Sequence, residues 1–229
     1  MNGTAGRWLG VVLVVVACLS GISATAGAID EPADGEFIVE LEADGDAEVR
    51  VVSRFDLDDD DERTAFERLD DNDERTAAAE QFLDEMRFVA EVANDNIDRE
   101  MNVSNVSVET ETQNGIGVVT YTVDWANLAA VEAGGDRLTI SEPFSIYNEL
   151  DRELVVIAPD GYEITSATPE PEEADERSAS WPGLTDLSEF EVVTERTDAE
   201  GTDDDGAGFG VVAGVVALLV TVALFARRR

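Results

Sequence analysis

The chain has 229 residues, with 52 Asp and Glu against 15 basic residues and a formal charge of −37. All 15 basic residues are arginine, which excludes His- and Lys-dependent chemistry such as a Ser-His-Asp triad, a Schiff base or a His-ligated zinc. Nucleic acid, which needs a basic face, is excluded as a partner.

Self-repulsion on this scale strains a compact state, and molar salt relieves it by shortening the Debye length to about 3 Å. Because 44% of the residues are hydrophobic and fall in strand and helix patterns, the composition describes a folded chain suited to high salt rather than a disordered one. The length accommodates one ordinary domain plus targeting segments.

Residues 1–28 have the order of a secretory signal peptide. Arg7 precedes an apolar run from Trp8 to about Leu19, and the small residues Ala24, Ala26 and Ala28 close it. Val15-Val16-Ala17-Cys18 is similar to the motif before a lipid-modified cysteine, but Leu19 and Ile22 extend the apolar run past it. Cys18 is therefore expected to leave with the signal peptide, with lipidation as the alternative. The mature chain then has no cysteine, and with it no disulfide, thiol catalysis or cysteine metal site.

Residues 29–196 form the expected domain. All 52 acids lie between Asp30 and Asp205 with eleven arginines, a formal charge of −41. Phe37, Val39 and Leu41 alternate with polar residues, Asp44-Gly45 marks a turn, and Val49, Val51 and Phe55 resume the period. This pattern predicts a β-hairpin with one buried face.

The period then changes. Phe82, Met86, Val89 and Ala93 fall at helical spacing after a start capped by Asp73, and a shorter helix around Ala65, Phe66 and Leu69 precedes it. In the same region Asp56, Asp58 and Asp60 alternate, and Glu67 stands where the twelfth residue of a calcium-binding loop supplies a carboxylate. Asp61 occupies the turn position that wants Gly, and Arg63 the usual apolar place. A solvated acidic helix start is thus the simpler reading, and no cofactor or metal is assigned.

Strand pattern returns from Met101, turns at Asn114-Gly115 and continues through Val119, Tyr121, Val123 and Trp125. Asn102-Val103-Ser104 and Asn105-Val106-Ser107 are tandem glycosylation triplets, for which Asn102 and Asn105 must point outward. Further strands are predicted at Leu138–Ile140, Leu154–Ile157, Tyr162–Ile164 and Phe190–Val193, with an exposed loop between Thr168 and Ser180. The fold class expected is α+β, a mainly antiparallel sheet or sandwich with a helical insertion, plus one C-terminal transmembrane helix.

Residues 197–208 read as an acidic flexible spacer, 209–226 as an uncharged helix at the short edge of what spans a bilayer, and 227–229 as a basic cytoplasmic end. Gly208-Phe209-Gly210, the apolar helix and Arg227-Arg228-Arg229 together resemble the Pro-Gly-Phe sorting signal of archaeal surface proteins, with Ala207 in the place of Pro. The resemblance implies cleavage by an archaeosortase-type membrane enzyme and attachment to a lipid. The body, in "FIVELEADGDAEVRVVSRFDL", "FLDEMRFVAEVA", "REMNVSNVSVET" and "APDGYEITSATPEP", resembles a haloarchaeal secreted domain family without an assigned activity.

Together these readings predict a non-enzymatic, surface-anchored protein of a halophilic archaeon, in contact with envelope proteins or glycans. Two alternatives stay open: the outer part of a membrane sensor complex, and a hydrolase working through paired carboxylates.

Overall fold

A computed structural model of the chain describes residues 35–197 apart from 133 and 148. The signal peptide, Cys18, most of the acidic spacer, the membrane helix with Gly208, Phe209 and Gly210, and the basic end at Arg227, Arg228 and Arg229 lie outside the described residues. Among the described residues, no helix is long and apolar enough to cross a membrane.

The first hairpin forms as its alternation demands. Strands β1 (Gly35–Leu41) and β2 (Ala47–Asp56) pair Val39 with Val49 and Phe37 with Val51, and all four side chains are buried on one face. Gly45, at φ +91°, supplies the left-handed turn residue between them.

Two helices follow, α1 (Asp60–Arg68) and α2 (Asn72–Asn94). Asp59 caps α1. The cap of α2 is Asp71 rather than Asp73: its carboxylate accepts the backbone N–H of Asp73 at 2.8 Å and of Glu74 at 3.2 Å. An aspartate satisfies the unpaired N–H groups from the position just before the helix, whereas Asp73 is itself inside the first turn.

Strands β3 (Asn102–Gln113) and β4 (Ile116–Ala126) make a second hairpin whose loop residues, Asn114 at φ +53° and Gly115 at φ +84°, have the positive values a two-residue hairpin turn requires. Strands β5 (Ala130–Glu132) and β6 (Arg137–Ile140), the single turn α3 (Phe144–Tyr147), and β7 (Glu153–Ile157), β8 (Tyr162–Thr168), β9 (Glu173–Ala174), β10 (Ser178–Trp181) and β11 (Glu191–Arg196) complete the order.

One seven-stranded sheet runs β3-β4-β2-β1-β7-β10-β9, and a four-stranded sheet runs β5-β6-β11-β8. All pairs are antiparallel except β1 with β7, where Phe37 lies opposite Leu154 and Val39 opposite Val156. The region expected as a loop between Thr168 and Ser180 in fact holds β9 and most of β10. Ala179 and Trp181 are buried there, and a side chain as small as Ala179 gives no apolar alternation to read.

The buried face of the large sheet is shared between two coverings. Helix α2 packs on β3 and β4, with the Phe82 and Tyr121 rings 4.9 Å apart, while α1 seats Phe66 and Leu69 over Val119. Towards β1, β7 and β10 the cover is aromatic and comes from the segments flanking the small sheet. Phe144 meets Phe37 at 5.7 Å and Phe190 at 5.1 Å, and Phe190 meets Trp181 at 5.1 Å. Leu138, Ile140 and Val192 of the small sheet join the same core. Burying side chains of this size contributes about 1.5–3 kcal/mol each.

Candidate functional site

Each of the eleven arginines between residues 35 and 197 is engaged by a carboxylate or a backbone carbonyl. Arg50, for example, bridges Glu40 and Glu48 at 3.0 Å each across the hairpin. Arg99 donates to the carbonyls of Asn127 at 2.9 Å and Leu128 at 2.7 Å; burial lowers its pKa, against the opposing charge of Glu142. Arg152 is only 2% exposed, and its guanidinium forks onto Asp151 at 2.8 and 3.3 Å. The cations are thus committed to local contacts, while the acids outnumber them and face water.

Acids also crowd around the turn of the first hairpin. Loss of water around the Glu42 carboxylate, and then the charges of Asp44, Asp46, Asp124 and Glu48, raise its pKa above the usual glutamate value.

An open depression of about 520 Å³ lies beside the small sheet. Ser141, Glu142 and Ser145 reach it from the end of β6 and α3, Thr168 from the end of β8, and Ser188, Glu189 and Glu191 from the approach to β11, with buried Phe190 beside them. Two cis peptide bonds, Glu142-Pro143 and Thr168-Pro169, border it. The Ser141 hydroxyl donates to Glu142. Nearby, Asp186 accepts the backbone N–H of Ser188 at 3.0 Å, and this bond and the Ser188 hydroxyl hold its carboxyl below the usual range.

Such a lining can exchange hydrogen bonds with a polyol or a hydrated ion. The segments that build it are far apart in sequence, and no local motif announces it. Among the described residues the buried polar or charged side chains are Arg152, Ser180 and Thr194, while Glu142 is half-buried and Glu189 and Glu191 are exposed.

The calcium-loop pattern is taken up by helix formation. Asp56 accepts the N–H of Asp58 at 2.9 Å, Asp60 pairs with Arg63, and α1 starts at Asp60. At a rise of ~1.5 Å per residue, Glu67 then stands about 10 Å along the axis from Asp60. Among the described residues no three acids lie close enough together to hold a metal ion. Asn102 and Asn105 are both exposed on β3, as the glycosylation reading requires, although Asn105 sits in a bulge at φ +54°.

These features define a class: an acidic, lysine-free α+β domain of two sheets, with a helix pair inserted between its first two hairpins. Within that class the chain belongs to the family described as domain of unknown function DUF7345, whose model matches residues 38–162, from β1 to the first residue of β8. No curated protein matches. Among solved structures, the folded domain of the Mycobacterium tuberculosis protein LppM is similar with a TM-score of 0.31 and 10% identity, covering 77% of this chain and 98% of that one.

Proposed function

We propose that this protein is an extracytoplasmic envelope domain, tethered by its C-terminal segment, that binds or supports other envelope components without catalysis. The observation that carries this reading is that every described arginine is committed to a carboxylate or a backbone carbonyl within the domain, amid an excess of carboxylates. A surface of that kind repels anionic headgroups and keeps the domain in solution beside a membrane, so a separate tether is needed, and residues 209–229 supply its pattern. Contact with neighbouring proteins or glycans then falls to hydroxyl-bearing surface, such as the open depression beside the small sheet, where Ser141, Ser145, Thr168 and Ser188 stand among Glu142, Glu189 and Glu191.

The test is the intact mass of the protein extracted from its native membranes. A mass lacking the first 28 or so residues and the tail, with a lipid increment, establishes a sorted, lipid-anchored protein processed by an archaeosortase-type enzyme. A processed N-terminus with residues 209–229 retained makes the helix a permanent span and favours the sensor-complex alternative, in which a partner subunit co-purifies. A full-length mass in the cytosolic fraction overturns the proposal.

A further inference from the structure

We infer that Asn102 is the N-glycan attachment site of this domain, and that Asn105, in a triplet of the same sequence, is a structural residue that stays unmodified. The inference rests on the exported location proposed above. Strand β3 is one of the two edge strands of the large sheet, and Asn102 is its first residue. Its neighbours Met101 and Val103 are buried at 3% and 1% exposure, so strand alternation sends the Asn102 side chain to the opposite, open face. Ser104, two residues on, lies on that same face, which places the hydroxyl of the triplet beside its amide.

Asn105 is different. The pairing of β3 with β4 slips between Ser104 opposite Asp124 and Ser107 opposite Thr122, so Asn105 and Val106 together face one residue, Val123. The bulge puts Asn105 in the left-handed region at φ +54°, which asparagine tolerates better than most residues. Its amide Nδ2 donates to the Asp124 carboxylate at 2.7 Å on the neighbouring strand. That amide holds the bulge closed while Val106 packs against the core. A sugar on Nδ2 would replace one of its two hydrogens and force its bulk between the strands' outer side chains. Asn102 bears no such duty.

In the transfer, Asn102 Nδ2 loses one proton and forms a C–N bond to the anomeric carbon of a lipid-phosphate-linked oligosaccharide. The C–O bond to phosphate breaks, and the lipid phosphate leaves with the electron pair. The attached glycan stands at the open end of an edge strand and adds steric protection against strand pairing with other chains.

Two serine variants of the full chain, purified from native membranes, decide the matter by mass and by fragmentation of the peptide after Arg99. Ser104→Ala and Ser107→Ala each remove one triplet without touching either asparagine, and Ser104→Thr restores the first. The wild type, Ser107→Ala and Ser104→Thr are expected to carry one glycan on Asn102, and Ser104→Ala none. A glycan on Asn105, whether alone or together with Asn102, overturns the inference, as does a bare chain whose N-terminus has been trimmed. A bare chain with its N-terminus intact instead sinks the exported location itself.

Discussion

Glu42 shows at the scale of one residue what the acidic surface costs. Its pKa is raised by lost hydration first and by Asp44, Asp46, Asp124 and Glu48 next, so the folded state keeps its proton to a higher pH than the unfolded chain does. The stability it contributes is therefore complete below the unfolded value of about 4.3 and is lost as pH rises through the folded value. At pH 7 the charge is a standing penalty. Glu42→Gln is expected to raise the urea midpoint at pH 7 in low salt by the equivalent of less than about 1 kcal/mol, to change nothing at pH 3, and to keep only the part due to lost hydration in molar salt, where the neighbouring charges are screened. A drop in stability at pH 7 would mean that the carboxylate makes a favourable contact instead. The sequence showed this crowding along the chain at Glu42, Asp44, Asp46 and Glu48, but not Asp124, which is brought in only by the pairing of β2 with β4. The Asn105 bulge was equally hidden, since the two triplets read alike until one amide is seen to be used.

Elements were legible where the apolar period was long. The stripe Phe82, Met86, Val89 and Ala93 placed α2, and Asn114-Gly115 placed the second hairpin, because both signals are local and strong. Strands β5, β9 and β10 were missed: two or three largely exposed residues, or four with only Ala179 and Trp181 apolar, are too short to show a period, and pairing with neighbours decides them. The pattern of Phe66 and Leu69 allowed α1 to cover the sheet, but its close seat was invisible in sequence, because it depends on a residue with no side chain. A methyl group at Gly117 would stand 2.6 Å from the Phe66 ring. Gly117→Ala is expected to cost about 1–3 kcal/mol in chemical denaturation and to speed hydrogen exchange across α1 more than across α2. An unchanged midpoint would show that Phe66 has other room to move. The depression beside the small sheet belongs with the missed features, being made where the ends of three separated strands converge.

For the whole molecule, two electrostatic effects oppose each other as salt rises. Screening weakens the exposed Arg–carboxylate pairs, which contribute about 0–1 kcal/mol each, and it also relieves repulsion among a far larger set of acids. With a formal charge of −37, relief should dominate. The thermal midpoint is expected to climb steadily from 0.1 M to several molar NaCl, with the steepest gain where the Debye length falls from about 10 Å towards 3 Å. A midpoint that falls over that range would show that the ion pairs outweigh the repulsion. This expectation rests on the sequence alone, because net charge needs no fold to be counted.

The parallel pairing of β1 with β7 sets a timetable for chain synthesis. Strand β1 can find β2 as soon as the first hairpin is made, but its other edge stays open until residues 153–157 emerge. At 5–20 residues per second that interval is roughly 5–20 s. Throughout it, a half-built sheet offers a bare backbone edge and an apolar face that only α1 and α2 can begin to cover. Neighbouring nascent copies in the same state carry the same dense negative charge, which holds open edges apart at low ionic strength but is screened in molar salt, so there the waiting edge is protected by how soon its own closing strand arrives.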